Sequence, residues 1–79
     1  MLLFNPTRAR WVSRETWHPK QEGTPQLDGS YLLKFPYSRE PELVMDILKY
    51  GADVEVLAPD SLRQAVATAH ARAAGLYSK

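Results

Sequence analysis

The sequence predicts an α+β fold, on three observations. Aromatic and apolar residues alternate with period two just after an Asp28-Gly29 turn signal. Two stretches carry apolar residues at helical spacing of three and four. The 79 residues give room for one domain spanning 1–79 and no more.

The elements follow in chain order. Leu2-Leu3-Phe4 is a short continuous apolar run, which suits a buried strand. Asn5-Pro6 stops it and opens a helix, because Asn is a good N-cap and Pro fits the first helical position. The spacing of Ala9, Val12 and Thr16 predicts a helix from Pro6 to Thr16. Pro19 pushes His18 toward extended geometry and ends that helix at Trp17-His18-Pro19. Lys20 to Leu27 is polar and contains Gly23 and Pro25, so it reads as an irregular edge strand. Asp28-Gly29 predicts a two-residue hairpin turn. Ser30 to Tyr37 forms the second arm, with Tyr31, Leu33, Phe35 and Tyr37 on one face.

A second helix opens around Ser38-Arg39-Glu40-Pro41 and carries the stripe Leu43, Val44, Ile47 and Leu48. Gly51 ends it as a left-handed cap, with Lys49 in the last turn. Val54 and Val56, followed by Leu57, predict another short strand. Pro59-Asp60-Ser61 then caps a long final helix with apolar positions at Leu62, Ala65, Val66, Ala69, Ala73, Leu76 and Tyr77. The order βαββαβ with right-handed crossovers predicts an antiparallel four-stranded sheet in the ferredoxin-like arrangement, with one helix added at the C-terminus.

Composition excludes several functions. Ten basic and nine acidic side chains leave a formal net charge of +1, too little for a domain that grips DNA by itself. The absence of cysteine removes disulfides, thiolate metal sites and thiol catalysis, and favours the cytoplasm. No apolar stretch approaches the roughly 18 residues of a membrane span, and the start lacks a signal-peptide core. A chain that begins inside its first strand reads as a piece of a longer protein.

The residues Trp17-His18-Pro19-Lys20-Gln21, Asp28-Gly29-Ser30, Glu42-Leu43 through Ile47-Leu48-Lys49-Tyr50-Gly51, Ala52-Asp53-Val54-Glu55-Val56-Leu57-Ala58-Pro59 with Leu62-Arg63, and Leu76-Tyr77 carry a resemblance. Taken in order, the series resembles the C-terminal extension (WCX) domain of WYL-domain helix-turn-helix transcriptional regulators. It covers nearly the whole chain, while the Trp-Tyr-Leu signature and any winged-helix segment are missing. The resemblance implies a bacterial parent with an N-terminal DNA-binding domain, a ligand-sensing WYL domain and this extension. It implies a non-catalytic module for effector sensing and dimerisation, with nucleotides or single-stranded nucleic acid as effectors. Operator DNA is then bound only by the N-terminal domain. A rival reading from another class is an ACT-like small-molecule binding domain of a metabolic enzyme, and what precedes Met1 in the gene discriminates the two.

The candidate chemistry is sparse. His18 and His70 form no tight ligand pair, so no metal site is expected. The serines sit in no Gly-x-Ser-x-Gly elbow, and the isolated glycines make no phosphate loop. Glu40 and Glu42 lie at a helix start, where they favour the dipole. An acylphosphatase shares the fold and size, but Asn5-Pro6-Thr7-Arg8 lacks the glycines of its phosphate cradle. No catalytic residue and no cofactor is expected. Arg8, Arg10 and Arg14, near Trp11, Trp17 and His18, are the effector-binding candidates, since guanidinium beside aromatic rings suits phosphate contact and base stacking. A solvated helix face, with Trp17 closing the core, is the structural alternative. Ala65, Ala69, Ala73 and Tyr77 are the dimerisation candidates, because small side chains permit close approach of a symmetry mate. Packing of that stripe on its own sheet is the alternative there.

Overall fold

The computed structural model describes residues 1–78. Its elements are β1 (Leu2–Phe4), α1 (Pro6–Val12), β2 (Glu22–Pro25), β3 (Tyr31–Lys34), α2 (Glu40–Leu48), a 3-10 turn (Gly51–Asp53), β4 (Val54–Val56) and α3 (Asp60–Gly75). The fold is α+β: one four-stranded sheet, order β2-β3-β1-β4, and three helices. Every neighbouring pair of strands is antiparallel. β1 is flanked on both sides, which is why its three residues are all apolar. β2, with Pro25 lacking an N–H, lies at an edge and among the described residues pairs with β3 on one side only.

Side chains alternate between the two faces of a sheet. The register therefore sets Leu2 in a row with Leu33 and Val56, and Phe4 in the next row with Tyr31 and Val54. Leu2, Phe4, Leu33 and Val56 join Val12 of α1, Leu43 and Ile47 of α2, and Leu62 and Val66 of α3 in one buried cluster. The helices thus cover this face, with α3 packed on α2 and β4. On the other face Leu3 and Leu32 are half-buried and Glu55 is exposed.

Four local expectations are corrected. α1 stops at Val12, and Thr16 is exposed. Its last turn tightens through Arg14 N–H to the Trp11 carbonyl and Glu15 N–H to the Val12 carbonyl. Gln21 then supplies the partners that a continued helix would have given, as described below. The hairpin uses a three-residue loop, Leu27-Asp28-Gly29, closed by Gln26 N–H to the Ser30 carbonyl at 2.8 Å. Gly29 has φ +92°, and its N–H donates to the Gln26 carbonyl, so it takes the third loop position. β3 ends at Lys34, before Pro36. The start of α3 has no side-chain cap bond, so Asp60 acts there through its charge in the first turn.

Gly51 has φ +56° and turns the chain after α2 as expected. Asn5 also does what its type suggests: its side chain accepts the Arg8 N–H at 2.9 Å, and Pro6 follows. α3 rises about 24 Å along its 16 residues. Only its first part is anchored, by Leu62 and Val66, and every residue from Ala71 to Ser78 is exposed.

Candidate effector-binding face

The five residues expected to line an effector site separate into different roles. Arg8 points back to the turn before β4. Its Nη2 lies 3.1 Å from Asp53 Oδ2 and its Nε 3.3 Å from the same oxygen. Asn5 Nδ2 donates to the other Asp53 oxygen at 2.9 Å. These bonds, Asn5 first and Arg8 next, hold the Asp53 carboxyl below its ordinary range. The Arg8 guanidinium also sits 5.5 Å from the Tyr50 ring centroid. It ties the start of α1 to the turn between α2 and β4.

Arg10 lies two residues on, on a different side of the short helix. It is exposed, and its guanidinium is 5.7 Å from the ring centroid of Trp11, itself 52% exposed. Arg14, just past the helix end, is exposed as well. Among the described residues neither Arg10 nor Arg14 forms an ion pair. Trp11, rather than Trp17, is thus the accessible ring beside a free guanidinium.

Trp17 closes the core. Its ring centroid lies 5.8 Å from Phe4, 5.8 Å from Phe35 and 5.6 Å from Tyr50. Phe4 and Tyr50 add an edge-on contact at 5.5 Å. His18 is half-buried, and its Nδ1 accepts the Lys20 N–H at 2.9 Å.

Gln21 organises this corner, and sequence reasoning missed it. Its Oε1 accepts the N–H groups of Trp17 at 2.6 Å and His18 at 3.1 Å, and its Nε2 donates to the Glu15 carbonyl at 3.0 Å. One side chain therefore satisfies three backbone groups of a loop that has left the helix. The available signal was the loop itself. A bend at Trp17-His18-Pro19 needs an acceptor, and Gln21 is the nearest amide side chain.

The remaining candidates lie on α3. Ala65 and Ala69 are half-buried, Ala73 is exposed, and Tyr77, just beyond the helix, is 86% exposed. Glu40, at the start of α2, accepts from Tyr37 Oη at 3.4 Å and Ser61 Oγ at 3.3 Å, while Glu42 pairs with Arg39 at 3.0 Å. Among the described residues no three His, Cys, Asp or Glu side chains gather as a metal set, and no helix is long and apolar enough to cross a membrane.

Polar side chains here mostly fasten loops to a small sheet-and-helix body. The chain belongs to the WCX domain family, whose model matches residues 1–74, from β1 through nearly all of α3. Membership makes it a C-terminal regulatory module of WYL-type transcription regulators. No curated protein matches the chain.

Proposed function

We propose that this chain is the non-catalytic C-terminal module of a bacterial, cytoplasmic WYL-type transcriptional regulator, contributing to effector sensing and dimerisation. The family match over residues 1–74 carries the reading. The strand order β2-β3-β1-β4, with α1 and α2 crossing between strands, supports a ferredoxin-like core to which α3 is added. On this reading the α1 face borders an effector pocket completed by the WYL domain. Arg10 and Arg14 contact phosphate, Trp11 offers a ring to a base, Arg8 and Trp17 hold the face in place, and His18 sits at its rim. A nucleotide or single-stranded nucleic acid suits that chemistry. α3 presents Ala65, Ala69, Ala73 and Tyr77 to a second protomer. Operator DNA is contacted by the N-terminal domain of the parent.

The test replaces Arg10 and Arg14 together by Ala in the regulator that carries this module. Both side chains are exposed, so folding is expected to be unchanged. Loss of two charge-assisted contacts weakens the effector response by about tenfold or more. An unchanged response in a folded variant would remove the arginine face from the account.

A further inference from the structure

A second feature lies beside the arginine face and serves a different charge. An open groove of about 490 Å³ runs between the loop after α1 and the end of α2, lined by Glu15, Thr16, Trp17, Asp46, Lys49 and Tyr50. Trp17 and Tyr50 supply an aromatic wall, their rings tilted by 33° with centroids 5.6 Å apart. Glu15 supplies a placed carboxylate: the Tyr50 hydroxyl donates to its Oε1 at 3.1 Å, while Gln21 holds its backbone carbonyl. No described residue takes the other oxygen of Glu15. Asp46 faces the groove from α2, and among the described residues its only ion-pair partner is Lys49 at 3.4 Å, with both side chains more than half exposed. Such a pair is weak and exchangeable. Arg8, which lies over the Tyr50 ring, already has its charge balanced by Asp53.

We propose that this groove binds a guanidinium group. A guanidinium is planar and weakly hydrated, stacks on aromatic rings, and presents paired N–H donors to a carboxylate. A compact, strongly hydrated ammonium uses the ring wall less well, and an anion meets two carboxylates. The same chemistry comes from a free alkylguanidine or from an arginine side chain on a peptide. The site belongs to this chain alone, so its success or failure leaves the regulatory reading untouched.

The experiment titrates the ¹⁵N-labelled chain with ethylguanidinium chloride, and separately with an end-blocked tripeptide containing one arginine, each against matched sodium chloride. The Trp17 indole N–H resonance is the reporter. Trp11, which does not line the groove, is the internal reference. A saturable shift confined to Trp17 and its groove neighbours is expected. Glu15→Gln weakens binding by about tenfold. Asp46→Asn weakens it several-fold and tests the opposite wall independently of any folding effect at Glu15. Lys49→Ala strengthens it, because Asp46 is released from its own cation. Tighter binding of the tripeptide assigns the groove to a partner's arginine, and tighter binding of ethylguanidinium assigns it to a free ligand. A linear drift matched by sodium chloride, or wild-type binding by both Glu15→Gln and Asp46→Asn, would overturn the proposal.

Discussion

Replacing Gln21 by Ala tests how the corner around Trp17 is held. The substitution removes three hydrogen bonds, two accepted from the Trp17 and His18 N–H groups and one donated to the Glu15 carbonyl. Each bond of this kind contributes about 0.5–1.5 kcal/mol net. Water replaces part of that at Glu15, which is exposed, but less at Trp17, which is half-buried. The expected loss is about 1–3 kcal/mol, against a total of about 4–12 kcal/mol for a domain of this length. With a urea m-value of about 1 kcal/mol/M, the unfolding midpoint falls by about 2 M. The assay is urea denaturation followed by tryptophan emission, together with hydrogen exchange at the Trp17 and His18 amides. Those amides should lose protection in the variant. Gln21→Glu keeps both accepted bonds but sets an oxygen against the Glu15 carbonyl, so its deficit grows as the new carboxyl ionises. A Gln21→Ala midpoint equal to wild type, with both amides still protected, would refute the assignment.

Other positions give equally direct outcomes. Gly23 of β2 lies beneath the Tyr31 ring, and an added Cβ meets the Tyr31 hydroxyl. Gly23→Ala should therefore cost about 1–3 kcal/mol in chemical denaturation, with part of it recovered in the Gly23→Ala/Tyr31→Phe double variant. The carboxyl of Asp53 is held below its ordinary value of 3.8 by Asn5 and Arg8. In the acid window the unfolded chain therefore binds more protons than the folded one, and the stability Asp53 supplies is present above about pH 3.8 and lost as pH falls through the folded-state value. Thermal melts of Asp53→Asn should accordingly show a deficit near neutrality that closes as the solution is acidified. A deficit of constant size across that range would contradict the ion-pair origin.

Much of the fold was readable because local signals agreed with the final packing. Asn5-Pro6 marks both the end of β1 and the cap of α1. Pro25 marks β2 as an edge, and Leu43 and Ile47 mark the buried side of α2. The errors came from signals compatible with two outcomes. Asp28-Gly29 fits a two-residue turn and also the last two positions of the longer loop that forms. Thr16 continues the helical spacing of Ala9 and Val12, yet burying Trp17 against Phe4 and Tyr50 takes the chain out of the helix first. The candidate face was legible in residue type but not in geometry. Nothing local announces that Arg8 is claimed by Asp53, 45 residues away, and this pairing decides which arginines remain free. Exposure of Trp11 and burial of Trp17 likewise depend on where the loop lands, which the spacing of two tryptophans does not state.

On the proposed function, this chain transmits an effector signal within a larger regulator. The most direct measurement is operator binding by that regulator, with and without residues 1–79, as effector is titrated and the sedimentation of each form is followed. The intact protein should change its operator affinity with effector and sediment as a dimer, and the shortened protein should lose the effector dependence and dissociate more readily. An effector response and a dimer that both survive removal of the module would contradict the account.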